Sequence, residues 1–226
     1  MGCNCIKPNS DNNEIAKEDK GGKTSDKLGV QNNSENNLNQ EGSGEQELNL
    51  NEYQSEVFEL INQIRTDPPS FINIIENSKQ FITEIPDKAN SNKTKLIFKK
   101  KVKVALNRGE QAFIEASEQL SQTNPMQSLI FKPEICVPIP ESEEEIKNPN
   151  YLKQQIQEIK QHDNVDVYFK DLVKIPEVSG LLMVVDDSGK NAGKKRMALL
   201  NEDFKYIGIS SGTVGKSFVA YFTFSK

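Results

Sequence analysis

Every aromatic residue of this 226-residue chain lies at or beyond Tyr53: all 11 Phe and 5 Tyr, with no Trp anywhere. A core needs large apolar side chains, so the fold has to be built after about residue 50. Residues 1–50 hold five Lys against nine Asp+Glu and are crowded with Asn, Ser, Gly and Glu. Such a segment buries too little apolar surface to offset the chain entropy lost on folding, so a disordered tail is expected. Residues 51–226 carry 23 basic and 24 acidic side chains, and that length is ample for one core. The whole chain has a net charge of −5, whereas a nucleic-acid binder shows a basic surplus, so no nucleic-acid partner is expected. No run approaches the roughly 18 apolar residues of a membrane-spanning helix. Three Cys and one His make neither a disulfide framework nor a His-rich catalytic or metal site within one copy. Glycine patterns for nucleotide phosphates are missing too, so no cofactor and no metal are expected.

The chain starts Met1-Gly2-Cys3-Asn4-Cys5-Ile6, without the apolar run of a secretory signal. Removal of Met1 would expose Gly2 as an acceptor for N-myristoylation, with Cys3 and Cys5 beside it as palmitoylation sites. One myristoyl chain binds a membrane only marginally, so a second signal is required. The acidic tail offers no polybasic patch, which leaves palmitate. Ile6 departs from the Ser or Thr usual at that position. Residues 9–50 would then be a tether, with membrane lipid as the partner of the acyl chains.

The folded part reads as α+β. Val57, Leu60, Ile61 and Ile64 recur with helical spacing over 52–65, and Asn51 is a fitting N-cap. Asp67-Pro68-Pro69 stops that helix and opens a second, with Asp67 as its cap and Phe71, Ile74 and Ile75 inward. Residues 86–101 read as a polar loop, and 104–122 as a third helix with Ala105, Ala112, Phe113, Ala116 and Leu120 inward. Pro133, Pro138 and Pro140 forbid a long helix there. Helices follow over 149–161 and 176–186, with a short strand at 165–169 between them. Residues 206–209 and 218–224 read as a hairpin. Helices first and a hairpin last, without repeating βα units, exclude a parallel doubly wound sheet.

Three segments together resemble the CAP superfamily (cysteine-rich secretory, antigen 5 and pathogenesis-related proteins; SCP-like domains). They are Phe58-Glu59-Leu60-Ile61-Asn62-Gln63-Ile64-Arg65-Thr66-Asp67-Pro68, then Asn124-Pro125-Met126-Gln127-Ser128-Leu129. The third runs from Val184-Val185-Asp186-Asp187 through Arg196-Met197-Ala198-Leu199-Leu200-Asn201 to Ile207-Gly208-Ile209. Order and spacing agree over roughly 52–224. The resemblance implies an α-β-α sandwich with a small antiparallel sheet and a central cleft. In the best-known members two His and two Glu line that cleft and can bind a divalent metal. Here the histidine of the family's Gly-His-Arg corresponds to Lys195, followed by Arg196, and Asp163-Asn164 is the nearest match to its Glu-Asn. The tetrad is therefore missing, and the resemblance implies a pseudoenzyme.

Several other groups could carry chemistry. Lys190, Lys194, Lys195 and Arg196 in one turn could grip a phosphate or lipid headgroup. His162 is expected on a surface loop, Cys136 as a buried inert thiol, and Glu141, Glu143, Glu144 and Glu145 as solvated. Asp186-Asp187-Ser188 lacks the spacing of a calcium loop and reads as a helix-ending turn. The expected function is a non-catalytic binding or scaffold module, with a protein partner, tethered to the cytoplasmic face of a plasma or ciliary membrane. The ciliary address rests on an Asn- and Gln-laden tail of a kind common in ciliates and other protists. A structural part of a cytoskeletal or ciliary assembly is the alternative, and a hydrolase with an unrecognised carboxylate site a third.

Overall fold

Asn51 opens the first helix by supplying what a helix start lacks. Its side-chain oxygen accepts from the Gln54 N–H at 3.0 Å, and the Gln54 side chain accepts from the Asn51 N–H at 2.9 Å. This reciprocal box starts α1 (Glu52–Thr66) and satisfies two otherwise orphaned donors. The computed structural model describes residues 50–87, 90–188 and 193–226. The expected disordered tail, the acylation sites Gly2, Cys3 and Cys5, and Lys190 lie outside those residues.

Val57, Ile61 and Ile64 of α1 are fully buried, as their spacing predicts. The Asp67 side chain, contrary to expectation, caps no helix; its carbonyl accepts from Ser70 instead. A 3-10 turn over Pro68–Phe71 leads into α2 (Ile72–Ser78), which buries Phe71 and Ile75 but leaves Ile74 36% exposed.

The expected loop at 86–101 is instead a hairpin. β1 (Ile82–Asp87) and β2 (Asn90–Phe98) run antiparallel, with Ile82 opposite Phe98. β3 (Val104–Leu106) pairs with the end of β2, making a three-stranded sheet in the order β1-β2-β3. Polar composition hid it because strands are held by their backbone ladder, and Phe98 and Leu106 anchor its base in the core. The third helix is correspondingly shorter than expected: α3 spans Glu110–Gln122. Gly109, at φ 58°, makes the break that keeps Val104–Leu106 extended.

The rest of the chain builds a second sheet and its covering layers. In order come β4 (Ile130–Phe131), α4 (Glu143–Lys147), α5 (Tyr151–Ile159), β5 (Val167–Asp171), α6 (Pro176–Val185), α7 (Lys194–Leu199), β6 (Tyr206–Val214) and β7 (Ser217–Ser225). The strand order is β4-β6-β7-β5, antiparallel except for the β4–β6 pair. Side chains alternate across strands, and here both faces are covered. Ala220, Phe222 and Phe224 join Ile207, Ile209 and the apolar sides of α1, α3 and α6 in one core. Val219 and Tyr221 join Ile135, Val137, Ile146 and Ile156 in another. The fold is α+β, with helical residues packed on both sides of a small sheet.

Candidate functional site

Two cations on the helical side of the sheet, the buried Arg65 and the half-buried Lys195, are used differently. Arg65, at the end of α1, is 0% exposed. Its Nε donates to the Gln127 carbonyl at 3.0 Å, Nη1 to Leu199 at 2.8 Å and Asn201 at 3.0 Å, and Nη2 to Phe204 at 3.1 Å. One turn earlier, the Asn62 side chain accepts from the Leu129 N–H at 2.7 Å and donates to its carbonyl at 3.2 Å. A planar guanidinium can satisfy several carbonyls at once, so this hub fixes two loops with all three of its nitrogens engaged.

The second cation, Lys195, lines a pocket of about 180 Å³. Val104, Leu106, Val173 and Leu182 form apolar walls, and Asp171, Asp186 and Asp187 stand with Lys195 among its polar lining. Each carboxylate already serves the backbone. Asp171, at the end of β5, accepts from the N–H groups of Leu172 at 2.8 Å and Val173 at 3.3 Å through Oδ1. The Ser179 hydroxyl donates to its Oδ2 at 2.5 Å, and the Tyr53 hydroxyl donates to Ser179 at 3.0 Å. Burial, with a smaller contribution from Asp171, pushes the Tyr53 phenol well above its ordinary value. The phenol therefore stays a donor, and the chain Tyr53–Ser179–Asp171 keeps one direction.

Asp186 ends α6 in the left-handed region, at φ 39°. Its Oδ2 accepts from Lys195 N–H at 2.7 Å and Arg196 N–H at 3.2 Å, and Oδ1 accepts from the Ser188 hydroxyl. Gly193 makes this approach possible, since a Cβ there would collide with the Asp186 carboxylate. Asp187 accepts from the N–H groups of Asn107 and Arg108, the latter at 2.8 Å, pinning the segment after β3. The Lys195 ammonium lies 3.9 Å from Asp171 Oδ1 and 5.5 Å from the centre of the Phe169 ring.

The three described members of the expected phosphate-gripping turn, Lys194, Lys195 and Arg196, point to different places. Consecutive helical residues point about 100° apart, and α7 sends its three cations to three places. Lys194 sits over the Tyr168 ring at 4.4 Å, and Lys195 lines the pocket. Arg196 is buried and donates through Nη2 to the Val185 carbonyl at 3.0 Å. Burial lowers the pKa of both Lys194 and Arg196.

Other candidates scatter. His162 is exposed in the turn after α5. Asp163 pairs with Lys132 at 2.7 Å, and the lysine holds its carboxyl below the usual range; Asp171 is the carboxylate beside Lys195. The half-buried Cys136 thiol is pushed up by burial, which disfavours the thiolate. In the acidic run, Glu145 accepts from the N–H groups of Glu141 and Ser142, and Glu143 from that of Lys216, so these two cap the backbone rather than being merely solvated. Asp171 was findable: β-alternation from Phe169 brings it to the same face two residues on. Ser179 and Tyr53 carried no such signal.

Among the described residues no His, Cys, Asp or Glu side chains group in threes to hold a metal ion, and no helix is long and apolar enough to cross a membrane. Comparison with protein-family models, curated proteins and solved structures finds no match for this chain. The described residues form an α+β fold in which a small pocket with polar groups in its lining lies beside α7.

Proposed function

We propose that this chain is a non-catalytic, CAP-like binding module held at the cytoplasmic face of a membrane by N-terminal acylation. The observation that carries the binding role is the state of the pocket's carboxylates. A general acid or base must exchange a proton with its substrate. Asp171, Asp186 and Asp187 instead hold backbone N–H donors and position loops. The Lys195 ammonium lines the cavity with no hydrogen-bond partner among the described residues.

The family resemblance draws support from the Arg65 hub. Asn62 and Arg65 join the three segments that carry the likeness, through Gln127, Leu129, Leu199, Asn201 and Phe204. One helix with Asn and Arg a turn apart thus has a reason to keep company with the other two segments. At the position of the family's histidine, Lys195 faces Asp171 across 3.9 Å.

The tether rests on Gly2 with Cys3 and Cys5, given Met1 as initiator: myristate for weak binding and palmitate for retention. Metabolic labelling with a myristate analogue, wild type against Gly2→Ala, tests it. The substitution is expected to abolish the label and release the protein from the membrane fraction. An unchanged label and unchanged fractionation would refute the tether.

A further inference from the structure

We propose that the pocket takes a small zwitterion with an aliphatic side chain, namely a free aliphatic α-amino acid. The assignment rests on the reading of this pocket as a binding site and adds the chemistry of its ligand.

The first support is unused donor capacity. An ammonium carries three N–H donors, and among the described residues the carboxylate oxygen paired with the Lys195 ammonium, Asp171 Oδ1, is 3.9 Å away, beyond hydrogen-bond length. A ligand carboxylate at the polar end would fill those donors. The second is unused acceptor capacity. Asp187 is half-buried, and each of its oxygens holds one backbone N–H. A carboxylate offers about four acceptor sites, so both oxygens can still accept, in this case from a ligand ammonium.

Charge decides between ligand classes. Asp171, Asp186 and Asp187 line the pocket with Lys195, and the Arg196 guanidinium lies near Asp186. Among the described residues, these three carboxylates against two cations leave a single net negative charge. A simple anion raises that imbalance, and a phosphate dianion raises it further, while a zwitterion leaves it unchanged and meets both free groups. The walls of Val104, Leu106, Val173 and Leu182 suit a branched aliphatic side chain. A volume of about 180 Å³ is close to the ~150 Å³ of cavities that take one small molecule.

Isothermal titration of the full chain with leucine, isoamylamine and isovalerate tests the assignment, because the analogues lack the carboxylate or the ammonium respectively. Leucine is expected to bind saturably, with each analogue at least tenfold weaker. Lys195→Met should reduce leucine affinity by at least tenfold and leave isoamylamine binding as it was. An analogue that binds as well as leucine overturns the zwitterion assignment and leaves a binding pocket standing. Absence of saturable binding by all three also overturns it. The binding-site reading itself falls separately, if a fragment screen moves none of the amide resonances of Leu106, Val173 and Lys195.

Discussion

Arg65 and Lys195 are both cations set into the same helical side of the molecule, and their surroundings differ in one respect. Every nitrogen of Arg65 donates to a carbonyl, spread over four residues. Lys195 has a carboxylate and a ring nearby but, among the described residues, nothing at hydrogen-bond distance from its ammonium. Burying a charge is tolerable only when its bonds are made, so Arg65 reads as architecture. A partly exposed ammonium with open donors costs little and stays available, so Lys195 reads as a contact for something outside the chain.

The comparison breaks most visibly at Arg65. Arg65→Met would orphan carbonyls on two loops and is expected to cost about 3–5 kcal/mol, the range for breaking a buried charged network. Urea unfolding measures it, and a loss under 1 kcal/mol would show that the hub is dispensable. Next comes the hydroxyl that feeds the pocket's carboxylate. Ser179→Ala strands the Tyr53 hydroxyl and Asp171 Oδ2, with an expected loss of about 1–3 kcal/mol. A neutral result would mean that Asp171 is held by its backbone donors alone.

Much of this architecture was readable in the chain. The helical spacing of Val57, Ile61 and Ile64 and the apolar run of Phe218–Phe224 mark elements whose burial dictates their period. The β1–β2 hairpin was not readable, because its stability lies in main-chain pairing that polar side chains do not advertise. Nor was the start of α3, which depends on the positive φ of Gly109. At the site, Lys195 was visible as a basic residue, but its separation from Arg196 required knowing that both sit on a helix. Tyr53 is far in sequence from Asp171 and Ser179, and only the fold brings the three into one chain of hydrogen bonds.

Alkaline pH sharpens the contrast between polar groups that are bonded and those merely enclosed. Burial, with smaller contributions from Tyr151 and Glu145, pushes the Tyr221 phenol up to about 12. An unfolded tyrosine ionises near pH 10. Above that pH the unfolded chain binds fewer protons than the folded one, so stability falls as pH rises towards 12. Tyr221→Phe should flatten this decline in urea midpoints taken between pH 9 and pH 11, by roughly up to one proton's worth of slope. An unchanged slope would place the titrating groups elsewhere. Capping effects are smaller: Asn51→Ala should cost about 1 kcal/mol, read from the same titrations, and no change would show that the capping box adds nothing to stability.

The smallest expected change tests the central distinction most directly. Urea unfolding of Lys195→Met beside wild type, without ligand, asks whether this cation belongs to the architecture. If the ammonium is held for a ligand, stability stays within about 0.5 kcal/mol of wild type, as for surface substitutions. A loss of 2 kcal/mol or more would make Lys195 a structural partner of Asp171, and the difference drawn between the two cations would be wrong.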